Sequence, residues 1–178
     1  MKLYLYPFFL ILAGLLFVSC KKSKDDDIAY YKEFTNSYRA FDDFKASSGN
    51  SYSFTVVTAS WAWGRSGTET TIKVKDGKAI ERSYVSKRVV NYTTNEEVIL
   101  EQWTEDEASL RSHQSGFTLF TLDEVYQKAK TDWLLKRNDT DTYFEAGNNG
   151  MLSNCGYVPR GCTDDCFTGI TISAIVKL

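Results

Sequence analysis

The spacing of hydrophobic positions changes along the chain, and each change marks an element. Tyr31, Phe34, Tyr38, Phe41 and Phe44 recur at steps of three and four, while Lys32, Glu33, Arg39, Asp42 and Asp43 take other positions. This spacing predicts an amphipathic helix with an aromatic stripe. Ser47-Ser48-Gly49-Asn50 ends it. From Tyr52 the period falls to two: Tyr52, Phe54 and Val56 alternate with Ser53, Thr55 and Val57, so a first strand runs towards Trp63.

The alternation resumes after the turn Gly64-Arg65-Ser66-Gly67, with Thr70, Ile72 and Val74 against Thr71, Lys73 and Lys75. Asp76-Gly77 then predicts a two-residue hairpin, because a type I′ turn needs positive φ at both central positions. The return strand starts at Lys78, and its extension through Val89-Val90 pairs with Glu97 to Trp103 across Thr93-Thr94-Asn95. Glu105 to Gln114 is polar and carries no clear period. In Phe120-Thr121-Leu122-Asp123-Glu124-Val125, Thr121 and Glu124 form a capping box, with Phe120 set to pack on Val125. A second helix follows, with Leu122, Tyr126, Ala129 and Trp133 on one face and Lys136-Arg137 near its end, where cations are favoured. Thr142 to Ala146 reads as a strand, Gly147 to Gly150 as a turn and Met151 to Cys155 as the partner strand. In the last strand Ile170, Ile172, Ala174 and Val176 face one way, Thr171 and Ser173 the other. The expected fold class is α+β: an antiparallel β-sheet of meander and hairpins, covered on one face by two amphipathic helices.

The N-terminus obeys a different grammar. Lys2 precedes an apolar stretch from Leu3 to Val18, interrupted by Pro7 and Gly14, and small Ser19 leads to Cys20. This predicts an export signal over residues 1–19. The stretch is short for a membrane-spanning helix, which needs about 20 predominantly apolar residues. Phe17-Val18-Ser19-Cys20 resembles the lipobox of bacterial lipoproteins, with Phe17 in place of the usual Leu. The resemblance implies a diacylated Cys20, with membrane lipid as its partner. Each buried methylene contributes about 0.8 kcal/mol, and stable attachment takes two chains. Residues 20–29, including Lys21-Lys22-Ser23-Lys24-Asp25-Asp26-Asp27, form a charged tether, and residues 30–178 form a single domain. The basic-then-acidic order resembles the signal that carries Bacteroidetes lipoproteins to the outer face of the outer membrane. A surface-exposed outer-membrane lipoprotein is expected, with a periplasm-facing anchor as the alternative.

Charge and cysteine usage narrow the chemistry. With 21 Lys+Arg against 23 Asp+Glu there is no electrostatic basis for nucleic-acid binding. Cys155, Cys162 and Cys166 remain beyond the anchor, and an exported protein favours a bridge. The expected disulfide is Cys155 with Cys166, flanking a loop between two final strands and leaving Cys162 unpaired. A zinc site would need a fourth ligand, and the one histidine, His113, is distant in sequence, so no metal or cofactor is assigned. No Ser-His-Asp order, His-Glu-x-x-His helix or Gly-x-Ser-x-Gly elbow occurs, and no catalytic residue is named. Trp61 and Trp63, with Trp103 near them, are candidates for an aromatic platform that stacks a glycan or anchors an envelope protein. The alternative, which the usual burial of Trp favours, is that these indoles cover the core beneath a helix.

Tyr52-Ser53-Phe54, Trp61-Ala62-Trp63 and Ile72-Lys73-Val74-Lys75-Asp76-Gly77-Lys78 together resemble an uncharacterised family of small bacterial secreted domains and lipoproteins. In that family the opening strand often carries a Cys-x-Cys pair, and an acidic Asp-Asp turn precedes the final strand. Asp164-Asp165 falls at the turn, but Trp61-Ala62-Trp63 replaces the cysteine pair, so no disulfide or metal role carries over from it. The expectation is a cell-envelope lipoprotein whose domain is a non-catalytic binding or interaction module. The alternatives are a small hydrolase-like envelope enzyme using carboxylates such as Asp164 and Asp165, and a structural or assembly lipoprotein.

Overall fold

The computed structural model describes residues 27–60 and 65–178. Cys20, Trp61 and Trp63, and with them the lipid anchor and two of the three candidate indoles, lie outside the described residues. The elements run α1 (Tyr31–Ser47), β1 (Tyr52–Ser60), β2 (Ser66–Lys75), β3 (Lys78–Asn91) and β4 (Glu96–Asp106). Next comes α2 (Leu122–Lys128), which continues into a π-helical turn at Ala129–Trp133. The strands β5 (Thr140–Glu145), β6 (Asn154–Pro159) and β7 (Thr168–Lys177) follow. All seven strands form one antiparallel sheet in the order β4-β3-β2-β1-β7-β6-β5, an α+β fold made mostly of sheet. The last strand therefore lies against the first, near the middle.

Local chemistry explains the turns and caps. Asp76 and Gly77 take φ of 51° and 78°, the pair of positive values a type I′ hairpin demands. At the β3–β4 turn, the Asn91 side-chain oxygen accepts from the amides of Thr93 and Thr94. The Thr121–Glu124 capping box forms as expected, each side chain accepting from the other's backbone amide. Among the described residues, no helix is long and apolar enough to cross a membrane.

One apolar cluster holds these elements together. Phe34 and Phe41 from α1, Tyr52, Phe54, Ile72 and Val74 from β1 and β2, Leu122, Val125 and Tyr126 from α2, and Ile170 and Ile172 from β7 are all buried in it. Burying each large apolar side chain contributes about 1.5–3 kcal/mol, before the entropy of ordering the chain is subtracted. The Phe41 ring stacks on Tyr126 at 5.0 Å and meets Tyr52 edge-on at 6.2 Å. The Tyr126 hydroxyl bonds with Ser37 Oγ at 2.8 Å and accepts from Leu152 N at 3.0 Å. The inward stripe of α1 thus runs Phe34, Ser37, Phe41, and Tyr38 stays exposed.

Several boundaries differ from the expected ones. β1 stops at Ser60, short of Trp63. β5 begins at Thr140 and β6 at Asn154, because Met151 and Leu152 leave the sheet and fill the core, the latter docking on the Tyr126 hydroxyl. In β7 the expected alternation holds only to Ile172. The β1–β7 register jumps from Thr55↔Ala174 to Val56↔Ile172, so Ser173 is bulged. Beyond it Ile175 pairs with Phe54 and packs on the core, while Val176 is exposed.

The expected Cys155–Cys166 bridge is corrected as well. Cys162 and Cys166 are joined, with Cα atoms 6.3 Å apart in the β6–β7 loop, and Cys155 is a free thiol. β6 runs past Cys155 to Pro159, pairing Cys155 with Ile170 and turning its side chain into the core, away from the loop. Burial pushes the Cys155 thiol up to about 12, so it stays neutral at physiological pH.

Candidate functional site

β1 and β7 begin as neighbours and then part. Their ladder covers Tyr52 to Val56 on β1 and ends at Val56↔Ile172. From Val57 onwards β1 pairs only with β2, through to Ser60↔Ser66, while the start of β7 pairs with β6 through Tyr157↔Thr168. Between the two diverging segments opens a cleft of about 580 Å³. Val56 and Ile170 form its apolar wall, Phe117 and Phe167 add rings, and Thr58, Ser60 and Thr171 add hydroxyls. A second hollow of about 260 Å³ shares Val56, Thr58 and Phe117 and extends to Thr68, Thr70 and Tyr84.

Each wall has a local cause. Thr70 Oγ1 accepts from Phe117 N at 2.9 Å, which fixes Phe117 beside the open end of the sheet. Thr58 and Thr68, opposite one another on β1 and β2, share a hydroxyl hydrogen bond of 2.7 Å. Gly156 and Gly169 face each other across β6 and β7, and the tip of the Phe167 ring fills the space where their side chains would be. A Cβ on Gly169 would lie 2.1 Å from the Cys155 carbonyl oxygen, so the glycine permits this close approach. At the mouth of the cleft Ser60 donates to Asp165 Oδ2 at 2.7 Å, tying the end of β1 to the disulfide-closed loop. Among the described residues lining the cleft, Asp165 is the only charged one.

A second polar constellation lies on β3 and β4. Arg82 and Glu105 are buried opposite each other and form a bidentate pair at 3.0 and 2.9 Å. Glu105 also accepts from the backbone amides of Arg111 and His113, at 2.9 and 2.7 Å, and Arg82 donates to the carbonyls of Phe117 and His113. Burial alone would raise the Glu105 carboxyl. The Arg82 guanidinium and the two amides outweigh it and hold the group well below its ordinary value. His113 Nδ1 lies 3.2 Å from Glu105 Oε1, and its ring stacks on Trp103 at 4.4 Å. These bonds tie the 106–117 segment to the sheet. They satisfy a buried charge, and Ser112 Oγ completes the network at 3.3 Å from Glu105 Oε1 and 3.2 Å from His113 Nδ1.

Among the described residues, the sequence-derived candidate Trp103 does not line the cleft. Trp103 is half-buried, stacks with Tyr84 at 5.3 Å and donates its indole N–H to Ser115 Oγ at 3.1 Å. It is level with Val56 in the sheet. Of Asp164 and Asp165, both exposed in the loop before β7, only Asp165 lines the cleft. Asp141 pairs with Arg160 at 3.0 Å. Thr58, Thr68, Phe117, Phe167 and the Arg82–Glu105 pair had no separate signal in the sequence. The one clue was Arg82 at an inward position two residues before Tyr84, and its partner depends on a register that only the folded sheet supplies. Comparison with known protein families, with curated proteins and with solved structures finds no match. The cleft is therefore interpreted from its own geometry.

Proposed function

We propose that this chain is a cell-envelope lipoprotein, held at the outer membrane by acylated Cys20, whose domain binds a partner or glycan in the β1–β7 cleft. The observation that carries the reading is the parting of two central strands beyond Val56↔Ile172. It leaves a concave surface with apolar walls, several hydroxyls and one carboxylate. Such a mixture suits recognition, in which apolar area supplies affinity and a few polar groups fix orientation. The same reading takes α1 and α2 as the cover of one sheet face. It is supported by the rings of Phe41 and Phe44 against Tyr52 and by the Tyr52 hydroxyl, which accepts from Leu122 N. Trp61 and Trp63 follow Ser60 directly in the chain and are proposed as further contacts to the ligand. Trp103 belongs to its stack with Tyr84 and His113 and is left out. No specific observation favours an enzyme built on Asp164 and Asp165.

The test uses intact cells with a photo-crosslinking amino acid at Thr58, and at exposed Thr131 in the π-helical turn after α2 as control. Specific adducts at position 58 and none at 131 are expected, with Cys20→Ser moving the protein out of the membrane fraction. Equal capture at both positions, or membrane retention of the Cys20→Ser protein, would overturn the proposal.

A further inference from the structure

The sheet has two edges, and they are guarded unequally. β5 is six residues long, the Tyr30 hydroxyl donates to the Thr142 carbonyl at 3.2 Å, and Arg160 pairs with Asp141. β4 is eleven residues long, and all of its residues from Glu96 to Gln102 are exposed. It has no Lys or Pro, the residues that commonly blunt a free edge. A register shift opposite Ser86 and Lys87 leaves Leu100 unpaired, and the glutamates are the charges the strand carries. Val98, Ile99 and Leu100 form an exposed apolar run, with Ile99 at 59% and Leu100 at 53%. Charge is as one-sided as exposure. Between Arg88 and Arg111 the chain carries six acidic residues and no Lys or Arg. Glu105 is taken up by Arg82, and Glu96, Glu97 and Glu101 remain exposed along the strand.

We infer that the β4 edge accepts an extended segment of another polypeptide as an eighth strand, with β-branched residues over Val98–Leu100 flanked by Lys or Arg. The free side of the strand supplies main-chain hydrogen bonds, which give affinity, and alternate side-chain positions give specificity. Opposite charges across neighbouring strands attract, so flanking cations meet Glu96, Glu97 and Glu101. Charge complementarity selects this occupant over the others. A second copy would bring the same acidic strand against itself, and an anionic lipid surface would repel it. This surface is separate from the cleft and stands without it.

The test takes the full-length protein in detergent and an acetylated seven-residue peptide of alternating Thr and Val between terminal lysines. A glutamate-flanked version serves as counterpart. Saturable binding with amide shifts centred on residues 96–102 is expected, at least tenfold tighter for the lysine peptide. Combining Glu96→Lys with Glu97→Lys reverses that preference and leaves the melting temperature unchanged. Absence of saturable binding, equal affinity for both peptides, shifts centred on the cleft, or a dimer joined through β4 in the absence of peptide would each overturn the inference.

Discussion

The two halves of β1 belong to one strand and live in different surroundings. From Tyr52 to Val56 it is laddered on both sides, and its inward side chains are 0–3% exposed against rings and aliphatics. From Val57 to Ser60 the β7 ladder is gone, and the inward positions become Thr58 and Ser60. The neighbouring strand changes in step: β2 puts Ile72 and Val74 inward at the closed end and Thr70 and Thr68 at the open end. In β7, Ile172 and Ile170 both stay buried, and exposed Thr168 begins the strand. The β1–β7 pairing persists where apolar burial supports it. Where the inward residues of β1 and β2 turn to hydroxyls, β1 parts from β7 and a cleft appears. The sheet is thus closed and structural at one end, open and available at the other.

Paired substitutions sharpen this contrast. Phe41→Ala at the closed end removes a fully buried ring and is expected to cost about 3–5 kcal/mol, whereas Phe167→Ala beside the cleft, where the ring is 40% exposed, costs about 1 kcal/mol. Urea melts of both variants check this. Similar losses would mean that the open end is as firmly packed as the closed one.

The Arg82–Glu105 pair bounds the contrast from β3 and β4, away from the cleft. Glu105→Gln leaves the Arg82 charge buried without its counter-ion and is expected to cost about 3 kcal/mol near neutral pH. The sign of its pH dependence follows from a depressed carboxyl. The Glu105 contribution is fully present above its ordinary value of 4.5 and is lost progressively as the pH falls towards the lower folded value. The stability gap between wild type and Glu105→Gln therefore narrows below pH 4.5. Denaturant titrations at several pH values measure it, and a gap that widens in acid would contradict the assignment.

Much of the fold was legible because its signals are local. The Asp76-Gly77 turn, the Thr121–Glu124 box and the aromatic spacing of α1 each depend on a few adjacent residues. Features set by distant pairing were hidden. The bulge at Ser173, which turns Ile175 inward and Val176 outward, depends on the β1 register and has no mark in the alternating sequence of β7. The disulfide was misassigned for a related reason: the spacing of the three thiols says nothing of which one a strand turns inward. Ser37 has no core signature in the sequence, because its burial follows from a hydroxyl contact with Tyr126, 89 positions away. Of the candidate site, only Asp165, in the acidic turn, was visible beforehand. The cleft arises where the first and last strands part, and no short stretch of chain encodes that.

The opening of the sheet is tested most directly by inter-strand proton contacts in the nuclear Overhauser spectra of the full-length protein. Cross-strand contacts should join Thr55 to Ala174 and Val56 to Ile172 and be missing between Thr58 and Ile170. A continuous set of contacts from Tyr52 through Ser60 to the start of β7 would show the strands zipped along their length, leaving no cleft for a ligand.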